Sequence, residues 1–255
     1  MDIKNINIFI NYLRRDLKFL DNLKKSNKFV SKKKEVIDPV TPLDLKIEKK
    51  IRHLINKHFR NHSIIGEEIA AQNKSSHYKW VIDPIDGTKN FILGFPTWSN
   101  LIGLFNKEVS IFSLANFPDL GKCYIAYDKR CFVDYKNKKK RISCNKRANY
   151  KSAKIVINTF NTIKKKKVFK FLKEYKGLFK ISGADAYNFC LIAEGKIDVL
   201  IESGLKKVDI LPLLSIIKNS GAIISNWKGN LNFDKGEILI TPNKKLHNYF
   251  LTKLN

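Results

Sequence analysis

The segment WVIDPIDGTKN at residues 80–90 carries two carboxylates, Asp83 and Asp86, where an apolar run ends. The other acids near the ends of predicted elements are Asp44, Glu67, Glu68, Glu202 and Asp209. Side chains at element ends project from a rigid scaffold into clefts. With no thiol or paired imidazole nearby, carboxylate oxygens suit a hard cation such as Mg²⁺. In a chain with a net charge of +26, this grouping predicts a bound cation.

The motif DPIDGT at residues 83–88 adds features suited to phosphate chemistry. Pro84 restricts the turn, so that both carboxylates and the Ile85 carbonyl can face one point. Gly87 lets the backbone approach a ligand closely, and the segment that starts at Thr88 offers N–H groups to a phosphate. Two metal ions bridged by such carboxylates activate water and stabilise the leaving oxygen. The predicted chemistry is therefore hydrolysis of a phosphate ester.

Three of the acids also have ordinary structural interpretations. Asp44 lies in the first turn of a predicted helix, where negative charge is favourable. Glu68 follows Glu67 in an extended segment, and adjacent side chains there point to opposite faces, which favours a structural role for Glu68. Asp209 taken alone fits the N-cap of a helix from Ile210. DPIDGT preceded by GEE is more specific than a common Asp-Pro or Asp-Gly turn, which favours the metal site.

Apolar spacing and capping residues predict two helices ahead of these motifs. Thr41 fits an N-cap and Pro42 the first position of the second helix, which continues to Phe59. The first helix is predicted from apolar residues at helical spacing, namely Ile3, Ile6, Ile10, Leu13, Leu17 and Leu20.

Strand signals separated by turn residues then predict an antiparallel sheet in an α+β first half. These strands are 63–66, 79–82, 101–105, 109–114, 123–127 and 131–135. Beyond residue 150, strands and helices alternate, which predicts an α/β second half. Its predicted elements are strands 155–158, 179–183, 199–202 and 222–226 and helices 168–175, 184–193 and 210–220. We divide the chain into 1–146, with the GEE and DPIDGT motifs, and 147–255, with Asp185, Glu202 and Asp209.

The amino-acid composition limits the classes of protein to which this chain can belong. Basic residues outnumber acidic ones by 49 to 23, but nearly all are scattered lysines, and arginine is the usual reader of bases and phosphates. We therefore expect a solvated basic surface that attracts anionic substrates, and no dedicated nucleic-acid partner. The four cysteines form no CxxC pair, which indicates neither zinc nor disulfides and favours a reduced, cytoplasmic protein. No apolar run approaches a membrane span.

The motifs GEE at 66–68 and DPIDGT at 83–88, with the late Asp209, resemble the inositol monophosphatase family of Mg²⁺-dependent phosphatases over nearly the whole chain. The resemblance implies a layered αβαβα sandwich that acts on a small phosphorylated substrate. Because members commonly form dimers, it also implies a homodimer.

The resemblance further implies roles for individual residues. The Mg²⁺ ligands would be Glu67, Asp83, the Ile85 carbonyl, Asp86 and Asp209. Thr88 with Glu67 would orient the attacking water, and Asp44 would support a weaker metal through water. Phosphate and substrate would meet Asp86, Gly87, Thr88 and Asp209. Either Lys33 or Lys34 fills the lysine position of the family.

Three longer stretches resemble the histidinol-phosphatase branch of the family: FILGFPTWSNLIGL at 91–104, residues 183–210, and SGAIISNWKG at 220–229. The branch implies hydrolysis of L-histidinol phosphate in histidine biosynthesis. Asp185 and Glu202 become candidate contacts for the amino group and imidazole of that substrate. Their structural alternatives are a cap of a helix from Ala186 and an ion pair, respectively.

Other functions stay open. An inositol-1-phosphatase or a 3′(2′),5′-bisphosphate nucleotidase typically carries Trp before the late Asp and two Ala after it, whereas this chain has Val208 before Asp209 and Ile210, Leu211 and Pro212 after it. The alternative from another class is a non-catalytic protein that binds RNA or another polyanion on this scaffold. Retained, mutually repelling acids argue against it.

Overall fold

The computed structural model describes residues 8–13, 30–31 and 39–255. Residues 8–13 form helix α1, the short strands β1 (Val30–Ser31) and β2 (Pro39–Val40) pair with each other, and helix α2 spans Pro42–His58. The predicted cap of α2 is confirmed, because the Thr41 hydroxyl accepts the Leu43 N–H at 3.2 Å and Pro42 is the first helical residue.

The predicted N-terminal helix is only partly described. Ile10 and Leu13 are buried in α1. The remaining predictions there concern residues outside the described part, namely Ile3, Ile6, Leu17, Leu20, Lys33 and Lys34.

The first sheet contains seven strands in sequential order from β3 to β9. They are β3 Ser63–Gly66, β4 Tyr78–Asp86, β5 Ser99–Asn106, β6 Val109–Phe117, β7 Lys122–Tyr127, β8 Arg130–Tyr135 and β9 Lys138–Arg141. All neighbours are antiparallel except β3 and β4, which are parallel. The prediction of an antiparallel sheet therefore holds apart from this first pair. The parallel pair places the ends of β3 and β4, with the GEE and DPIDGT motifs, at the same edge.

The second sheet is mixed and has the order β11-β10-β12-β14-β13. Its strands are β10 Ile155–Ile157, β11 Phe179–Ile181, β12 Val199–Glu202, β13 Ile223–Ser225 and β14 Ile238–Thr241. Strands β11, β10 and β12 are parallel, and β14 runs antiparallel to β12 and β13. The remaining helices are α3 Thr88–Leu93, α4 Lys166–Glu174, α5 Asp185–Ala193, α6 Lys207–Ile210, α7 Leu214–Ser220 and α8 Lys244–Leu254.

Three apolar cores join these elements into five layers. One core packs α1 and α2 on the outer face of the first sheet. A second lies between the sheets and surrounds α5 and α7. The third packs α4 and α8 on the outer face of the second sheet. The order is therefore helix, sheet, helix, sheet, helix, which confirms the predicted αβαβα sandwich. The middle core draws side chains from both halves of the chain, and the division at residue 146 stays a prediction.

The predicted helix over 210–220 is wrong in its extent. Helix α6 covers Lys207–Ile210, a 3-10 turn follows at Leu211–Leu213, and α7 begins only at Leu214. Pro212 explains the interruption, because proline lacks the N–H that a continuous helix requires. The break leaves α6 as a separate short element that carries Asp209. In the described part of the chain, no helix combines the length and apolar character that a membrane span needs.

Candidate active site

Strand β4 holds the DPID segment inside the first sheet. We expected the strand to end at Ile82, but β4 continues to Asp86, with a register shift against β5 between Asp83 and Asp86. The Asn100 amide donates to the Pro84 carbonyl at 2.7 Å, which satisfies this carbonyl where the register shift interrupts the ladder. Both carboxylates are buried, with Asp83 only 1% exposed.

Three chain segments bring carboxylates together at the end of β4. One oxygen each from Glu67, Asp83 and Asp209 lies within 4.8 Å of the others. Glu67 lies in a bend after β3, rather than in the strand, and Asp209 is the third residue of α6. Asp209 is therefore not an N-cap, as its sequence context alone suggested, although its carboxylate accepts the Lys206 N–H at 2.6 Å. We name this group the acidic cluster.

The chemistry of the acidic cluster fits a hard divalent cation. Within the described residues, the buried Oδ1 of Asp83 has no hydrogen-bond partner. Burial raises the pKa of Asp83 well above its ordinary value of 3.8, and the charges of Glu67, Asp86 and Asp209 raise it further. Burial likewise raises the pKa of Asp209 to about 7. Carboxylates that repel one another, with one buried oxygen of Asp83 that has no donor among the described residues, are stabilised when a cation lies between them.

Asp86 lies between the acidic cluster and the start of α5. Its Oδ2 accepts the Ser99 hydroxyl at 3.2 Å and the Ala186 N–H at 3.4 Å. Burial raises the pKa of Asp86 well above its ordinary value, and the charges of Asp185 and Asp209 act in the same direction. Asp86 is not one of the three grouped carboxylates, but it links them electrostatically to the acids of the second half.

The residues after Asp86 turn sharply into helix α3. Gly87 has a φ of 74°, which glycine adopts without steric cost, and Thr88 begins the helix. The Thr88 hydroxyl donates to the Ile85 carbonyl at 3.0 Å. This hydroxyl already uses its proton in that hydrogen bond, and its oxygen can still accept a hydrogen bond from another group.

Helix α2 supports the bend that carries Glu67 through Glu48, a residue without a role in the sequence analysis. The buried Glu48 carboxylate accepts the N–H groups of Glu68 at 2.8 Å and Ile69 at 3.3 Å. Its ion pair with Arg52 measures 2.7 Å. A Cβ on Gly66 would lie 1.9 Å from the Glu48 carboxylate, which explains the glycine of the GEE motif. The sequence feature that could have pointed to Glu48 is its i,i+4 spacing from Arg52 on the buried face of α2.

We expect Glu48→Ala to lower the free energy of unfolding by about 3–5 kcal/mol, because it leaves Arg52 buried without its partner and frees the bend. Urea unfolding measures this change, and Mg²⁺ titration should show weaker binding. Glu174→Ala is the control, since Glu174 is 65% exposed and pairs with Lys170 at the surface. If Glu48→Ala had the same free energy of unfolding as wild type, Glu48 would not support the bend that carries Glu67.

Asp44 lies apart from the acidic cluster and caps α2. Its Oδ2 accepts the Thr41 N–H at 2.8 Å and the Thr41 hydroxyl at 2.6 Å. Burial raises the pKa of Asp44 to about 6, and the charge of Glu68 contributes to this rise. These contacts give Asp44 a structural function at the helix start, while its support of a weaker metal stays a prediction.

Asp185 and Glu202 form a second acidic pair beside the acidic cluster. Asp185 is the first residue of α5, whose N-cap is Ala184, so the interpretation of Asp185 as the cap of a helix from Ala186 is wrong. Glu202 ends β12, and its Oε1 accepts the Asn188 amide at 3.1 Å. Burial raises the pKa of Asp185 to about 6, although the hydrogen bond from Asn158 acts to lower this pKa. Burial also raises the pKa of Glu202 well above its ordinary value, and the charge of Asp185 adds to the rise.

The second acidic pair lies among acceptors. Among the described residues, the buried side-chain oxygens without a hydrogen-bond partner include one each from Asn158, Asp185, Asn188 and Glu202. The two asparagines were not singled out from the sequence, because an isolated Asn carries no motif signal. These four unpartnered atoms are all acceptors and two of them belong to carboxylates, which favours a ligand that is positively charged and rich in N–H groups.

Comparisons with known proteins agree with this geometry. The model described as "Inositol monophosphatase family" matches residues 2–255. The fructose-1,6-bisphosphatase/inositol-1-monophosphatase of Aquifex aeolicus is 32% identical over 91% of this chain and 87% of its own. The histidinol-phosphatase of Mycobacterium tuberculosis is 26% identical over 86% and 85%. The solved structure of an IMPase from Thermotoga maritima superposes with a TM-score of 0.83 at 22% identity, covering 99% and 97%.

Proposed function

The chain belongs to the inositol monophosphatase family of phosphatases, and on that premise we propose that it is a Mg²⁺-dependent phosphomonoesterase that converts L-histidinol phosphate and water to L-histidinol and phosphate. The observation that carries the substrate assignment is the pair formed by half-buried Asp185 and buried Glu202 next to the acidic cluster. A related protein named histidinol-phosphatase supports the same choice.

The metal side of the proposal rests on the acidic cluster. Glu67, Asp83 and Asp209 would hold Mg²⁺, with the Ile85 carbonyl and Asp86 as further ligands. When bound, Mg²⁺ would polarise the phosphate ester and make water more acidic. The unpartnered Asp83 oxygen and the raised pKa values of Asp83 and Asp209 support this assignment.

The residues around the cluster would orient water and phosphate. Because the Thr88 hydroxyl donates to Ile85, its oxygen is available to accept from a water molecule. Glu67 is 16% exposed at its side chain and can accept the other proton of that water as a general base. Backbone N–H groups at Gly87 and Thr88 would contact the phosphate. Asp44 would support a further, weaker metal through water.

The substrate side depends on charge complementarity. Histidinol phosphate carries an amino group and an imidazole, and each can donate N–H groups to a carboxylate. Asp185 and Glu202 each keep one oxygen without a hydrogen-bond partner among the residues described. An inositol ring or a nucleotide base brings no cation to offset these two charges. The second acidic pair therefore favours the cationic ester.

A three-ester assay tests the proposed function. The full chain with Mg²⁺ is given histidinol phosphate, inositol 1-phosphate and 3′-phosphoadenosine 5′-phosphate, and kcat/KM is measured for each. We expect histidinol phosphate to exceed the others by about 100-fold, because the unfavoured esters leave buried charges unpaired. A large preference for another ester would overturn the substrate. Absence of all three activities with salt-sensitive RNA binding would instead support the polyanion-binding alternative.

Glu202→Gln should lower kcat/KM for histidinol phosphate by about 100-fold, since it removes a buried charge that pairs with the substrate cation. Hydrolysis of p-nitrophenyl phosphate, which has no cationic group, should change little. The matched control is Glu174→Gln, because this glutamate lies 65% exposed on α4. If Glu202→Gln lowered both activities equally, Glu202 would act on the metal or the fold rather than on substrate choice.

A further inference from the structure

Lys206 contacts two of the three members of the acidic cluster. Its Nζ lies 2.8 Å from the Glu67 Oε1, across 139 residues of sequence. Its backbone N–H donates to the Asp209 Oδ2 at 2.6 Å. The residue immediately precedes α6, so the same turn that presents Asp209 also presents the ammonium group. A positive charge of the protein itself therefore lies against the carboxylates assigned to the metal.

The Lys206 ammonium and a divalent cation would use the same partner. An ammonium group offsets part of the charge of the carboxylate that it pairs with, so a cation that binds Glu67 competes with this contact. The Lys206 side chain is 50% exposed, whereas the Glu67 side chain is 16% exposed. Its long flexible stem lets the ammonium group move into water at low cost. The contact is therefore favourable without metal and readily broken.

We propose that Lys206 is an internal counter-ion of the metal site, which pairs with Glu67 in the metal-free protein and competes with the divalent cation for it. This inference rests on the proposed metal site. Lys206 then weakens metal binding, stabilises the metal-free protein, and sets the metal concentration at which the site fills. It is a positioning residue for Glu67 and not a metal ligand.

The neighbouring Lys207 provides a matched control. Its Nζ lies 2.5 Å from the Asp234 Oδ1, and both side chains are 59% exposed. The two lysines have the same charge and adjacent positions, but only Lys206 contacts the acidic cluster in the described residues. A difference between their variants therefore reports the contact with Glu67 and not net charge.

The test is Mg²⁺ titration calorimetry on the metal-stripped full chain. Lys206→Met keeps the stem and removes the charge, and we expect it to bind Mg²⁺ about fivefold more tightly, as removal of one half-exposed competing ion pair allows. Lys206→Gln, a second neutral variant, should show the same tightening. Lys206→Arg, which keeps the charge, and Lys207→Met should stay within about twofold of wild type.

Thermal melting supplies a second measurement. In EDTA, Lys206→Met should melt below wild type, and saturating Mg²⁺ should raise its Tm by more than it raises that of wild type. Unchanged or weaker Mg²⁺ binding by both neutral variants would overturn the role of Lys206. Failure of the metal site gives another pattern, because wild type and Asp83→Asn would then both show no Mg²⁺ binding.

Discussion

We expect Asp83→Asn to abolish Mg²⁺ binding and to lower kcat/KM by about 1,000-fold or more, while the metal-free variant should be more stable than wild type. The loss follows because Asp83 is the most enclosed carboxylate of the acidic cluster, at 1% exposure, and a missing ligand removes several kcal/mol of transition-state stabilisation. The gain in stability follows because the substitution puts an amide in place of a buried carboxylate, whose charge is repelled by Glu67, Asp86 and Asp209. Activity and stability thus oppose each other at this residue.

Two measurements on one preparation test this expectation. Mg²⁺ titration and steady-state kinetics report the loss of function, and urea unfolding in EDTA at pH 8 reports the gain in stability. Asp128→Asn is the control, because Asp128 is 43% exposed and pairs with Arg130 in a turn of the first sheet. Full activity of Asp83→Asn would remove Asp83 from the metal site. A large loss of stability in EDTA would show that the carboxylate is structural.

The stabilisation that Mg²⁺ provides should grow as the pH rises from about 4 to about 7. The pKa values of Asp44 and Asp185 are raised to about 6 and that of Asp209 to about 7, from an ordinary value of 3.8. In this window the folded metal-free protein holds protons that the unfolded chain has released. Stability from these groups is therefore complete below about 3.8 and is lost as the pH rises through their folded pKa values.

The expected loss without metal amounts to several kcal/mol, since each pH unit between the folded and unfolded pKa corresponds to about 1.4 kcal/mol. Mg²⁺ should offset the part of this loss that comes from Asp209 by binding its ionised carboxylate, whereas the contributions of Asp44 and Asp185, which are not assigned to the metal, are the same with and without it. Burial lowers the pKa of His247 to about 4, and this group acts in the opposite direction, with stability gained as the pH rises towards 6.5. The difference between unfolding in Mg²⁺ and in EDTA cancels the contribution of His247. A difference that stays constant from pH 4 to 7 would contradict the prediction.

Local sequence determined the features that depend on near neighbours. The cap at Thr41 and the start of α2 were predictable, because capping needs only the next few residues. The strands followed from their β-forming runs and turn residues, and the αβαβα layers followed from the family resemblance, which the family match confirms. The grouping of Glu67, Asp83 and Asp209 was expected from the same motifs, and their metal-binding roles stay predictions for the experiments above.

Tertiary structure decided the features that depend on distant partners. The extension of β4 to Asp86 requires the Asn100 amide from β5, and the bend at Glu67 requires the Glu48 carboxylate from α2. The Asn188 contact with Glu202 depends on the packing of α5 against the second sheet. Lys206 reaches Glu67 only after both halves have folded together. A single sequence shows such residues as ordinary polar positions, because their chemical significance comes from a partner that the fold supplies.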